Sequence, residues 1–160
     1  MDLFDFSSYL KSVLSVTPHE IQQLTGGLMN LTIRVSFTPP ANLFRSGYLS
    51  SAVLKHAPPF MAADPTQPMS VHRQVIEAQA LILLSGCSIP AISEVLSKFP
   101  TLRIPKLIHH DAERHVLWMM DIGETQTLSQ YLTSDPHVHN IERIATSLGA
   151  FLAELFRAMH

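Results

Sequence analysis

The chain has 160 residues, a length that fits one domain with a real core and falls short of two full lobes. With 46% hydrophobic residues, 15% charged residues and a formal net charge of -2, it is too apolar for a disordered chain and lacks the basic excess that nucleic acid requires. The single cysteine, Cys87, has no partner for an internal disulfide, and the acidic start MDLFDF lacks the positive charge of a signal peptide. No apolar run approaches the roughly 20 residues of a membrane span, so a cytoplasmic protein with neither nucleic-acid nor membrane partners is expected.

Leu3, Phe4, Phe6, Leu10, Val13 and Leu14 recur at near-helical spacing and predict a short amphipathic helix from Leu3 to Val13. Thr17-Pro18-His19-Glu20 has the capping-box form, yet Gly26-Gly27 follows too soon for a long helix. Ile21 to Leu24 is open between helix and strand; a strand is favoured because a clear one lies beyond the glycines. There Leu31, Ile33, Val35 and Phe37 alternate with Thr32, Arg34 and Ser36, a period of two that completes a hairpin around the glycine turn.

Pro39-Pro40-Ala41-Asn42 is expected to break that strand, and Ser51 to Lys55 to form a short third one ending in lysine. The proline-rich stretch from Pro58 to Pro68 is expected to be irregular. Ser70 caps a helix whose apolar set is Val71, Val75, Ile76, Ala80, Leu83 and Leu84, with Gly86 as its stop. A shorter helix covers Ile92 to Leu96, and Pro100 and Pro105 frame an irregular connection. Leu107-Ile108-His109 and His115 to Met120 read as a strand pair around a turn at Asp111 to Arg114, which gives a five-stranded sheet. Residues 121–127 are polar and read as a linker. From Asn140 onward Ile141, Ile144, Ala145, Leu148, Leu152, Leu155, Phe156 and Met159 predict an amphipathic helix to the terminus.

The order of these parts is that of a kinase small lobe: strand, glycine turn, strand, lysine-ending strand, helix with Glu77, strand pair, linker, helices. Glycines let backbone amides approach phosphate oxygens, a lysine on the third strand neutralises them, and a helix glutamate orients the lysine. Lys55 and Glu77 are the candidate pair. Arg73, Glu77 and Leu81 share a helix face at spacings of four, so Glu77 is expected to face the sheet while Ile76 and Leu84 pack. Taken singly these residues are bland, since most glycine pairs are turns and most strand-end lysines are solvated; the joint order carries the reading. His109, His110, His137 and His139 lack zinc-ligand spacing, and Cys87 lacks an adjacent base, so surface histidines and a packed or loop thiol are favoured. Trp118 and the methionines beside it read as core.

Three stretches carry a family resemblance: Gly26-Gly27-Leu28-Met29-Asn30 with the strand after it, Val53-Leu54-Lys55-His56-Ala57-Pro58-Pro59-Phe60, and Pro68 to Ala78. With Ile104 to Asp111 and Met119 to Gly123, they resemble the aminoglycoside phosphotransferase and choline kinase family, and within it 5-methylthioribose kinases. The resemblance implies an α+β, protein kinase-like fold. Its small lobe, residues 1–120, would hold a five-stranded antiparallel sheet and a lysine-pairing helix; a hinge at 121–127 and the first helices of a large lobe at 128–160 would follow. It implies ATP as cofactor, with Gly26, Gly27 and Asn30 in the phosphate loop, Lys55 on the phosphates and Glu77 as its ion pair. Met120 and Ile122 would offer the hinge carbonyl and amide to adenine. Leu28 and Met29 depart from the more polar turn expected of such a loop.

A kinase also needs a catalytic-loop aspartate, an asparagine five residues later and a metal-binding aspartate. None can be placed: His109-His110-Asp111 is followed by Val116 where asparagine belongs, and Asp121-Ile122-Gly123 sits where the hinge belongs. No catalytic or metal-ligating residue is therefore assigned, and magnesium is expected only with a complete large lobe. Three readings stand: the nucleotide-binding portion of a truncated small-molecule kinase, inactive alone; a non-catalytic nucleotide-binding or regulatory module; and an interaction domain. A kinase large lobe would cover the final helix, so its apolar stripe is expected to be exposed here, with self-association or instability as the consequence.

Overall fold

The computed structural model describes residues 4–25, 27–85, 89–124 and 126–159. They group into two units, one of Met1–Ser85 with Pro105–Asp121 and one of Gly86–Ile104 with Ile122–His160.

The first unit opens with helix α1, Phe6–Val13, which starts later than the spacing predicts; Leu3 lies outside the described residues. Asp5 fixes the start, its carboxylate accepting from the Ser8 N–H at 3.0 Å and the Ser8 hydroxyl at 2.6 Å. The open segment is a strand, β1, Glu20–Leu24. It pairs with β2, Leu31–Asn42, which pairs with β3, Tyr48–His56. Strands β4, Phe60–Met61, and β5, Asp64–Pro68, precede helix α2, Arg73–Ser85. Strands β6, Leu107–Asp111, and β7, Val116–Met120, complete an antiparallel sheet of order β1-β2-β3-β7-β6. This is the five-stranded α+β architecture that the motif order implies.

Two expectations fail at prolines. β2 does not break at Pro39-Pro40: its pairing with β1 ends at Ser36 opposite Glu20, and on the β3 side the register shifts between Ser36 and Ala41. The prolines, the first behind a cis bond, thus sit at an edge and a bulge where no ladder N–H is required. With Ala41 and Asn42 as partners, β3 starts at Tyr48 rather than Ser51. Likewise the stretch from Pro58 to Pro68 is regular in part, because β4 and β5 form a separate two-stranded ribbon. Asp64 tightens it by accepting from the Thr66 N–H and hydroxyl.

Strand alternation gives the sheet two faces. Ile33, Val35, Phe37, Ala52, Leu54, Val116 and Trp118 form one buried core with Tyr9 and Leu10 of α1. Each such side chain contributes about 1.5–3 kcal/mol when fully buried. Thr32, Arg34, Val53, Lys55, Leu117 and Met119 fall on the opposite face, and α2 packs over its β6-β7 side. The packing stripe of α2 is Gln74 and Ala78; Ile76, expected to pack, is 59% exposed. Ser70 accepts from the His72 N–H at the helix entry, and Gly86 lies outside the described residues.

The second unit holds α3, Pro90–Lys98, α4, Leu128–Thr133, and α5, Val138–Ala158. Pro90 sits at the first helical position of α3, as suits its missing N–H. α4 starts at a capping box made by Thr127 and Gln130. Ile92, Val95 and Phe151 are buried between α3 and α5, with Phe99 meeting Phe151 edge-on. Leu148, Leu152 and Phe156 of α5 and Met159, which caps it, are exposed. No single described helix is long and apolar enough to cross a membrane.

Inside the first core, the Trp118 Nε1–H donates to the Tyr9 hydroxyl at 2.9 Å, with both residues buried. Tyr9→Phe leaves that donor unpaired, and urea unfolding should show a loss of about 1–3 kcal/mol at neutral pH. Burial, helped by the Asp111 carboxylate and opposed by the Trp118 hydrogen bond, pushes the Tyr9 hydroxyl up from 10.0 to about 12. Its folded state therefore favours the neutral phenol: the stabilisation is complete below pH 10 and lost as pH rises towards 12. Tyr9→Phe should lack that alkaline loss, and a variant as stable as wild type at neutral pH would remove this bond from the core's account.

Candidate functional site

The sheet face opposite the α1 core carries a cavity of about 340 Å³ lined by Gly27, Leu28, Met29, Asn30, Thr32, Lys55, Arg73 and Glu77. Antiparallel register builds its floor. Thr32 of β2 lies opposite Lys55 of β3, which lies opposite Leu117 of β7. The α2 helix supplies Arg73 and Glu77 one turn apart, and the β1-β2 connection closes the edge.

Lys55 Nζ and Glu77 Oε1 form an ion pair, each side chain 28% exposed. The pair predicted from chain order is thus made, although pairs that remain open to water contribute little stability. Arg73, the first residue of α2, donates to Asn30 Oδ1, Met29 O, Pro58 O and Ser70 O over 2.7–3.3 Å. Burial draws its pKa down, and the Glu77 carboxylate opposes that shift. Two cations against one carboxylate leave the cavity positive, which suits an anionic ligand.

Gln74 sets the helix in place. It is 1% exposed, and its Nε2 donates to Lys55 O at 2.9 Å and His115 O at 2.5 Å, joining the ends of β3 and β7. Next to Lys55, His56 donates from Nδ1 to Arg114 O at 3.1 Å and stacks on Phe4 with ring centres 3.9 Å apart. Burial, the largest cause, pulls its pKa below 6.5, so this ring, on the α1 face of the sheet, is neutral at pH 7.

The structure brings Gly27, Asn30, Lys55 and Glu77 to one cavity. Gly26 lies outside the described residues. A Cβ at Gly27 would meet Asn30 O at 3.5 Å, an ordinary contact, so space alone does not demand glycine there. Leu28 and Met29 are 65% and 38% exposed at the rim. Met120 ends β7 with its N–H donating to Lys106 O at 2.8 Å, and Ile122 belongs to the second unit. His109 and Asp111 are strand residues, His109 stacked on Phe44 and Asp111 accepting from the Arg114 N–H. Among the described residues no group of three His, Cys, Asp or Glu side chains is arranged to hold a metal; Cys87 lies outside them.

Sequence reasoning missed three contributors. Thr32 was visible as a polar partner in the period-two pattern. Arg73 was visible as the i, i+4 companion of Glu77, but its carbonyl partners lie up to 44 residues away. Asp121, read as linker, grips Arg34 of β2 through two contacts of 2.8 and 3.2 Å, an ion pair that no local signal announces. A larger cavity, about 620 Å³, is lined by Phe99, Leu102, Ile144, Leu148 and their neighbours in the second unit; it has no opposed charges and no chemistry to match.

A five-stranded antiparallel sheet whose third-strand lysine pairs with a helix glutamate below a glycine loop is a kinase-like small lobe. No protein-family model matches the chain. In sequence it is similar to the 4-hydroxytryptamine kinase of Psilocybe cyanescens, 33% identical over 152 residues that make up 92% of this chain and 40% of that protein. It is also similar to the 4-hydroxytryptamine kinase of Psilocybe cubensis, 33% identical over 145 residues, 89% of this chain and 37% of that protein. The chain therefore spans about two fifths of the length of these relatives, and the similarity supports a kinase-like family.

Gln74→Leu keeps the volume of the buried side chain and leaves Lys55 O and His115 O without their donor. Urea unfolding should show a loss of about 1–3 kcal/mol. Lys55→Met, which breaks a half-exposed pair, should cost under about 1 kcal/mol. The reverse order of these two losses would show that α2 is held by the ion pair and not by the amide.

Proposed function

We propose that this chain is the nucleotide-binding portion of an ATP-dependent small-molecule kinase that phosphorylates a hydroxyl group. The observation that carries the proposal is the Lys55-Glu77 ion pair, set in a positive cavity beside the 27–30 loop, in a chain similar to two kinases. In this reading Lys55 would take the oxygens of a phosphate chain, Glu77 would hold Lys55 in place, and Gly26, Gly27 and Asn30 would offer donors. The adenine-facing role of the Met120 carbonyl and Ile122 amide belongs to the same proposal. For the acceptor, the relatives' name favours 4-hydroxytryptamine over methylthioribose as the first compound to try. A hydroxylated amine of that kind is a small neutral-to-cationic nucleophile, and it needs a base that Glu77, engaged by Lys55, does not supply.

That last point favours a second reading, a nucleotide-binding module without catalysis. Among the described residues Glu77 is the only carboxylate lining the cavity, and it is already paired. Phosphoryl transfer by the isolated chain separates the two readings.

Nucleotide binding is read by thermal unfolding with ATP, with and without magnesium. At about 100 times Kd, a ligand that binds only the folded state stabilises it by about 2.7 kcal/mol. Wild type should show that rise, larger for ATP than for GTP, and Lys55→Ala should lose it while its ligand-free midpoint moves little. No shift at millimolar ATP in wild type would sink the proposal.

A further inference from the structure

A positive charge on the first residue of a helix opposes the helix dipole, whose N-terminal end is itself positive. Arg73 occupies that position in the 13-residue helix α2, so something outside the helix has to compensate. Its guanidinium has all but one of its N–H donors engaged, on Asn30 Oδ1 at 3.3 Å, Met29 O at 3.1 Å, Pro58 O at 2.7 Å and Ser70 O at 2.7 Å. A guanidinium committed in this way has little left for a ligand. Its partners lie on the β1-β2 loop, the segment after β3 and the turn before α2.

Three acceptors on the loop are taken: Leu28 O, Met29 O and Asn30 Oδ1. Arg73 holds Met29 O, and the Ala63 N–H at the tip of the β4-β5 ribbon holds Leu28 O at 3.0 Å. Arginine only donates, so the Asn30 amide must turn its oxygen to Arg73, which leaves the two Nδ2 donors for the cavity that Asn30 lines. The main-chain amides of Gly27, Leu28 and Met29 find no protein acceptor among the described residues. A loop with its two middle carbonyls tied back and these N–H groups without a protein acceptor presents donors to an anion.

We propose that Arg73 is a positioning residue that, with the β4-β5 ribbon, holds the 27–30 loop as a donor surface for a polyphosphate. This rests on the nucleotide-binding reading above and adds to it a residue that acts on the loop and not on the ligand. It also accounts for Leu28 and Met29: the loop is ordered by its carbonyls, so its side chains are free to be apolar and exposed.

The test compares wild type, Arg73→Lys and Arg73→Met, using ATP and inorganic tripolyphosphate as probes. Kd is measured by calorimetry, and amide hydrogen exchange is followed at Ala63 and at Leu54 in the core strand β3. Lysine keeps the charge and loses the fork, so both variants should bind either probe about tenfold or more weakly, the factor carried by one good hydrogen bond. Ala63 should exchange faster in both, with Leu54 protection unchanged. Wild-type affinity in Arg73→Lys would make Arg73 a mere charge and overturn the proposal. Loss of Leu54 protection in both variants would reduce the residue to a general structural role and overturn it as well. If Arg73→Met does not fold, Arg73→Lys carries the comparison alone. Wild type that binds neither probe sinks the nucleotide reading itself, an outcome distinct from tight wild-type binding with indifferent variants.

Discussion

Gln74 Nε2 donates to the main-chain oxygens of Lys55 and His115 from a side chain that water barely reaches, and that double hydrogen bond sets the rotation of α2 about its own axis. Successive residues of a helix turn by about 100°. With Gln74 and Ala78 turned to the sheet, the stripe of Arg73 and Glu77 falls beside them, over the cavity and next to Lys55. The same bond ties the helix to the carbonyl of Lys55, so the lysine and its glutamate partner are referenced to one point of the backbone. Leucine at position 74 would bury as well but would leave the helix free to roll, since dispersion contacts are not directional.

Much of this was legible before any coordinates. The alternation from Leu31 to Phe37, the lysine near the end of β3 and the glutamate one helix later are local or ordered signals; the strand runs one residue past the lysine, to His56, and Lys55 and Glu77 still meet. What local signals could not give depends on partners far along the chain. Ile76 is apolar and Gln74 polar, so hydropathy buries the wrong one; the amide goes inside because two strand-end carbonyls need donors there. Pro39 and Pro40 look like strand breakers, and they are tolerated because β1 has already ended beside β2. The β4-β5 ribbon leaves no such signal for a different reason: a two-residue strand has no period.

The ion pairs of the first unit divide between holding the fold and serving the site. Arg34 and Asp121 are 13% and 9% exposed and meet through two contacts, joining β2 to the end of β7. A pair so shielded is costly to break from one side, and its place is structural. Lys55 and Glu77 are about equally exposed to water at 28%. Their attraction is screened, and the lysine adds a charge that the cavity does not need for folding. A pair that does little for stability and leaves its cavity positive makes sense as preparation for a negative ligand.

Departures from local preference gather at the same place. Arg73 sits at the wrong end of a helix for its charge, Leu28 and Met29 expose apolar side chains at a turn, and Gln74 Oε1 is buried with no partner among the described residues. All three border the cavity or anchor the helix that lines it. The α1 side of the sheet shows the opposite: its central cluster is apolar, its Trp118 donor is satisfied, and its helix is capped by Asp5. Sequences agree with their folds at most positions and break local rules where a site is built. One face of this sheet follows the rules and carries its buried core; the other breaks them around two cations and the 27–30 loop, and that asymmetry marks the cavity face as the candidate site.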